Sequence, residues 1–175
     1  LINKILLLNL GLKEKNIIDE ELLETICSTI LETEMHRREL PVYIGNRISR
    51  IYTPPNDPYV LEALMAQLEE YINNGNEPDP LIRLALIHYQ FEAIHPFTDG
   101  NGRTARALFY WYMLKQKYWL TEYLSISRVI AKSKKSYEKS FLYAESDNND
   151  IGYFVSYNLR VLDISFKQLQ GYLKR

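Results

Sequence analysis

Apolar residues recur at three- and four-residue spacing through most of the chain, the period of an amphipathic helix. Residues 3–10 and 20–34 both follow it. The pattern breaks between Pro41 and Pro55, where Val42, Ile44, Ile48, Ile51 and Tyr52 favour strands and Gly45-Asn46 reads as the turn of a short hairpin. Asp57-Pro58 then supplies an N-cap followed by proline in the first helical turn. The helix it opens carries the stripe Val60, Leu61, Leu64, Met65, Leu68, Tyr71 and Ile72, and ends in Asn73-Asn74-Gly75-Asn76. Asp79-Pro80 opens the next by the same device. That segment, residues 81–94, is apolar nearly all round and so is expected to be central. It must stop at His95-Pro96, because a proline pushes the preceding residue out of the helical region. Further helices are expected over residues 102–117, 133–145 and 150–172, the last two split by the polar loop 146–149. The expectation is an all-α fold: one helical domain with a single small β-hairpin on its surface.

Composition narrows this little. The 175 residues fit one domain, and 46% apolar with 25% charged is an ordinary globular balance. A net charge of −1 gives no global pull toward nucleic acid or a bilayer. The nearly uninterrupted apolar stretch of residues 5–12, which carries Asn9 and Gly11, is too short to span a membrane. Cys27, the single cysteine, reads as a buried small hydrophobe. Fourteen tyrosines fall mostly at helical spacing and read as packing residues with the hydroxyl at the surface. Leu1 opens the chain without a methionine, so an upstream segment is expected; residues 1–19 read as a helical extension and 20–175 as the main domain.

The chemistry is concentrated in His95-Pro96-Phe97-Thr98-Asp99-Gly100-Asn101-Gly102-Arg103-Thr104-Ala105-Arg106, a loop between two buried helices. Gly100-Asn101-Gly102 enters a helix N-terminus, where glycines let backbone N–H groups converge on an anion. Arg103 and Arg106, three apart, share a helix face and suit a polyphosphate. Asp99 is a hard oxygen ligand fit for Mg²⁺ bridging phosphates. His95 is the one group here that titrates near neutrality and can accept a proton from a nucleophile. Each part alone has a plainer reading as a helix end, a surface turn or a solvated charge; together they form a site for nucleotide phosphates.

The segment matches the Fic signature His-x-Phe-x-Asp/Glu-Gly-Asn-Gly-Arg-x-x-Arg, and the chain resembles Fic-domain proteins of the AMP-transferring branch. The lead-in Tyr89-Gln90-Phe91-Glu92-Ala93-Ile94, the stretch from Val42 to Pro55 and the Tyr137 region extend the resemblance from about residue 20 to the end. It implies a Fic-like helical fold with a hairpin flap. It also implies transfer of AMP from ATP to a Tyr, Ser or Thr hydroxyl of a protein, with pyrophosphate leaving.

In that scheme His95 is the base and Asp99 holds Mg²⁺ against the α- and β-phosphates. The Gly100, Asn101 and Gly102 backbone, with the Asn101 side chain, cradles phosphates. Arg103 and Arg106 hold the β- and γ-phosphates, and Phe97 anchors the loop. Tyr137 is a candidate for adenine contact or simply a packing tyrosine. Doc-type kinases resemble Fic but carry a larger residue, typically Lys, at the Gly102 position, so Gly102 favours AMP over phosphate transfer. A Doc-like kinase, another nucleotide-moiety transferase and a non-catalytic ATP-binding module of toxin–antitoxin type stand as alternatives.

The expected partner is a target protein docked along the flap from Val42 to Tyr52; a homodimer is allowed, and neither nucleic acid nor membrane is indicated. The expected setting is cytoplasmic. Fic proteins are commonly inhibited by a helix bearing Ser/Thr-x-x-x-Glu-Gly/Asn, whose glutamate pairs with the second motif arginine. The nearest match, Ser28-Thr29-Ile30-Leu31-Glu32-Thr33, fails at its final position and reads as an ordinary amphipathic helix. His88 reads as core packing, His36 as a surface residue, and Glu92 as a supporting group of unknown pairing.

Overall fold

The computed structural model describes residues 17–45, 50–76 and 79–174. Among the described residues there are seven α-helices, one 3-10 turn and one two-stranded antiparallel hairpin, the all-α architecture expected. The expected helix over residues 3–10 lies outside the described residues, as do Asn46 and Ile48.

Helix α1 (Glu20–Leu31) starts where the Asp19 carboxylate accepts the Leu22 N–H at 2.8 Å, and it buries Leu23, Ile26 and Cys27. It closes earlier than the sequence suggests. Glu32 turns left-handed (φ 55), and the Glu32 and Thr33 N–H groups both return to the Ser28 carbonyl, which stops the helix. Glu32 thus serves as the exposed C-cap of α1.

The hairpin follows. Strand β1 (Ile44–Gly45) pairs with β2 (Arg50–Tyr52), Ile44 opposite Tyr52 and Gly45 opposite Arg50, with an irregular register between them. Gly45 belongs to β1 rather than to the turn. Its φ of 146 is a value that residues with side chains rarely adopt.

Helices α2 (Pro58–Asn74) and α3 (Pro80–Ile94) both begin as the Asp-Pro pairs dictate. Asp57 accepts from Tyr59 and Val60, Asp79 from Leu81 and Ile82, and each proline occupies a position whose N–H would have had no partner. Of the α2 stripe, Leu61, Met65, Leu68 and Ile72 are buried, while Val60 faces solvent.

Helix α4 (Asn101–Lys115) buries every residue from Ala107 to Met113 and packs on α1, α3 and the 3-10 turn Trp119–Tyr123. Helix α3 lies between α2, α4 and the long C-terminal α7 (Gly152–Leu173), so the two most buried helices meet at the loop that joins them. The 3-10 turn and short α5 (Ile126–Lys132) have no counterpart in the sequence reading. Tyr110 fixes this segment, donating from its hydroxyl to the Leu124 carbonyl at 2.9 Å and accepting the Ile126 N–H at 3.2 Å. Helix α6 (Lys134–Ser146) packs against α7.

Candidate active site

The site starts at the end of α3. His95 caps that helix in the left-handed region (φ 53, ψ 59), outside the right-handed region that Pro96 disfavours. Its N–H reaches the Phe91 carbonyl at 3.0 Å, and its Nδ1 lies 3.3 Å from the Glu92 carbonyl. A carbonyl can only accept, so Nδ1 carries the proton and Nε2 presents a lone pair. Burial pushes the His95 pKa below 6.5 and Arg38 adds to that, opposed by the bond to Glu92 and by Asp99. A neutral imidazole with a bare Nε2 is what a general base requires.

The loop beyond His95 is held from inside. Phe97 is fully buried and anchors it, as expected. The Asn101 side chain braces it, accepting the Phe97 N–H at 2.9 Å and donating to the Phe97 carbonyl at 2.8 Å. This differs from the sequence reading, which placed the Asn101 amide against phosphate: with 2% exposure and both ends on Phe97, it acts as a clamp.

Gly100 then turns left-handed (φ 82) to start α4 with no side-chain cap. A Cβ there would lie 2.8 Å from Cys27 Sγ and 3.1 Å from Leu31, so α1 forms the floor of this turn. Cys27 is buried, as expected, and its thiol also contacts the Asp99 carbonyl at 3.5 Å. The Gly100 carbonyl takes the Arg103 and Thr104 N–H groups, so those of Asn101 and Gly102 lie outside the helix ladder, at the positive end of its dipole.

A cleft of about 250 Å³ opens here, bordered by His95, Asp99, Gly100, Asn101, Gly102, Arg103 and Arg106, with Thr98 added. The polar residues selected from the motif therefore converge on one space. The Asp99 carboxylate is 75% exposed, takes the Gly100 N–H at 2.6 Å and faces Arg103 Nη2 at 3.3 Å. Among the described residues no cluster of three or more His, Cys, Asp or Glu could cage a metal. One accessible carboxylate beside an anion-binding turn still fits Mg²⁺, which takes one or two carboxylates and completes its shell with water and phosphate.

Tyr137 stands elsewhere. It does not border the cleft formed by the motif. Its ring packs among Phe141, Phe154 and Tyr157, while its hydroxyl donates to Glu92 Oε1 at 3.0 Å and lies 3.0 Å from His88 Nε2. Burial pushes the Glu92 pKa up and that of His88 down to about 3, so His88 is a neutral core residue that donates to Tyr137. This thread reaches the cleft. A Cβ at Gly102 would lie 3.1 Å from Glu92 Oε1 and 3.2 Å from Arg106 Nη1, so the bare Gly102 leaves room for both groups. His36 is a surface residue paired with Glu24 and Glu34.

Sequence reasoning missed Arg38. It is 5% exposed, and its Nε donates to the His95 carbonyl at 2.8 Å. It lies in a charged stretch, Glu34-Met35-His36-Arg37-Arg38-Glu39, where nothing marks one arginine as internal.

The Fic/DOC family profile matches residues 16–113. The chain is 33% identical to "Protein adenylyltransferase Fic" of Drosophila grimshawi, over 98% of this chain and 35% of that protein. It is 45% identical to "Protein adenylyltransferase fic-1" of Caenorhabditis briggsae over 43% of this chain and 17% of that one. The chain thus spans about a third or less of the curated relatives it matches. Among solved structures, a Fic family protein from Desulfovibrio desulfuricans G20 superposes with a TM-score of 0.80 at 26% identity, covering 95% of this chain and 51% of that one. Signature, cleft and likeness over most of its length agree, and the chain belongs to the Fic/DOC family.

Proposed function

We propose that this chain is a protein adenylyltransferase that moves AMP from ATP to a hydroxyl of a target protein. The observation that carries the reading is the convergence of His95, Asp99, Arg103, Arg106 and the uncapped N-terminus of α4 on one cleft. The relatives named above as protein adenylyltransferases support the same reading.

In this reading each residue of the cleft has a role. His95 Nε2 takes the proton of the incoming hydroxyl as its oxygen bonds to the α-phosphorus; the bond from that phosphorus to the bridging oxygen breaks, and pyrophosphate leaves. The N–H groups of Asn101 and Gly102 face the charge that builds on the α-phosphoryl oxygens. Arg103 and Arg106 hold the distal phosphates so that attack is in line. Asp99 would hold Mg²⁺, which when bound neutralises phosphate charge.

A target segment lies along the flap by adding to a strand edge, which supplies main-chain hydrogen bonds largely regardless of its sequence. A cytoplasmic setting, where ATP is abundant, belongs to the same proposal. Among the described residues no helix is long and apolar enough to cross a membrane.

The competing reading is transfer of the terminal phosphate, as in Doc-type kinases. Gly102 disfavours it here, since those kinases carry a larger residue at this position, where in this chain even a Cβ would lie 3.1 Å from Glu92 Oε1 and 3.2 Å from Arg106 Nη1. Mass measurement of a target, or of the chain itself, after incubation with ATP and Mg²⁺ tests the reading. A gain of one AMP unit is expected; a gain of one phosphate would replace it with the kinase.

A further inference from the structure

The last turn of α3 and the residues after it present six successive carbonyls, from Phe91 to Pro96, at a helix end where carbonyls ordinarily lack partners. Here each has a donor. His95 supplies two, its N–H to Phe91 and its Nδ1–H to Glu92. The Tyr52 hydroxyl, from β2 of the flap, donates to Ala93 at 2.8 Å. Arg38 supplies the other three: Nη2 to Ile94 at 3.4 Å, Nε to His95 at 2.8 Å, and its own main-chain N–H to Pro96 at 2.8 Å.

The guanidinium also holds the base of the flap. It donates to the Asn56 side chain at 2.9 Å, to the Leu40 carbonyl at 3.3 Å and to the Pro55 carbonyl. Asn56 in turn clamps both main-chain groups of Val42. A buried guanidinium is a planar fork of five donors, and here the fork joins two segments that are far apart in sequence. Its positive charge also suits the negative end of the α3 dipole.

We propose that Arg38 is a positioning residue that fixes the backbone and tautomer of His95 and ties the base to the target-binding flap. This rests on the reading of His95 as the base. His95 sits at φ 53, which a residue with a side chain adopts only where its surroundings impose it. Arg38 grips its carbonyl on one side, and the Phe91 and Glu92 carbonyls hold its N–H and Nδ1–H on the other. The charged groups acting on the imidazole are Arg38, which lowers its pKa, and Asp99, which raises it.

The chain has three histidines, and their surroundings separate their titrations: His36 raised by Glu24 and Glu34, His88 near 3, His95 below 6.5. Nitrogen-15 spectra of the imidazoles therefore read His95 directly, with His95→Ala for assignment. Arg38→Lys keeps a cation and loses the fork; Arg38→Met loses both. In each, His95 is expected to pass from one Nδ1-protonated form to a mixture of tautomers, and in Arg38→Met its pKa should also rise toward 6.5. AMP incorporation should fall about tenfold or more while ATP affinity stays within about threefold, the split expected when only the base is displaced. A folded variant with parental imidazole shifts and titration overturns the proposal. If neither substitution folds, Asn56→Ala decides, since it leaves Arg38 present but removes one acceptor of its fork; parental shifts there overturn the proposal equally. Imidazole changes in a chain whose parent transfers no AMP would refute the transfer reading and still support the positioning of His95.

Discussion

Adding one carbon at Gly100 tests how closely the phosphate turn rests on α1. Gly100→Ala forces a side chain into φ 82, which costs about 1–2 kcal/mol in the left-handed region. The new methyl also meets Cys27 Sγ at 2.8 Å and Leu31 at 3.1 Å inside a packed floor, a further cost of roughly 1–3 kcal/mol. The loss of chain entropy in the unfolded state returns about 0.4–1 kcal/mol. The expected net destabilisation is about 2–4 kcal/mol, a fall in Tm of roughly 5–15 °C for a domain of this size. Calorimetric melts and urea titrations measure it. Cys27→Ala in the same background removes the atom being struck but not the backbone strain. The double variant should therefore be about 1 kcal/mol or more better than the sum of the single losses. Strict additivity would mean that the methyl does not press on Cys27. A parental Tm for Gly100→Ala would refute both the strain and the contact.

Four further outcomes are expected. His95→Ala should abolish AMP transfer with ATP–Mg²⁺ affinity within a few-fold of the parent by calorimetry, and the acidic limb of the parent's pH–rate profile should lie below 6.5 because burial depresses the imidazole pKa. Asp99→Ala should weaken ATP binding and remove its response to added Mg²⁺; an undiminished response would rule Asp99 out as the ligand. Ile44→Pro removes a main-chain donor from β1 and should slow modification of a separate target while sparing ATP binding, whereas unchanged kinetics would take the flap out of the reaction. His88 has a folded pKa near 3 against an ordinary 6.5, so between those values the unfolded chain binds more protons and stability falls as pH falls, by up to about 1.4 kcal/mol per unit. His88→Phe should flatten that slope in denaturant titrations at pH 6.5 and 5, and an equal slope in both proteins would contradict it.

What was readable in the chain and what was not divide along physical lines. The Asp57-Pro58 and Asp79-Pro80 starts and the stop at His95-Pro96 are local devices, complete within four residues, and they stand where expected. The motif was legible because its groups lie within twelve residues on one turn. Arg38 was not, since its guanidinium is met by main-chain carbonyls and the Asn56 side chain, as far as 57 residues away, brought to it by the fold alone. The same holds for Asn101, whose partner is the main chain of Phe97 rather than a ligand, and for Tyr137, one tyrosine among fourteen until its hydroxyl is seen on Glu92. The 3-10 turn and α5, five and seven residues long, are too short for a period to show.

The thread of His88, Tyr137 and Glu92 sets a limit on how this protein can be redesigned. Tyr137→Phe alone would leave a buried carboxylate short of its donor and a histidine short of its acceptor, beside the arginine that faces the cleft. An apolar Glu92 alone would strand the tyrosine hydroxyl. The hydroxyl and the carboxylate are therefore exchangeable only together, whereas a change at His88 alone gives up one hydrogen bond of the thread that α3 and α6 share. A stabilised variant obtained by repacking them with hydrophobic residues would remove the carboxylate beside Arg106. With one negative charge fewer beside Arg106, the attraction of the cleft for an anion is expected to rise together with the melting temperature.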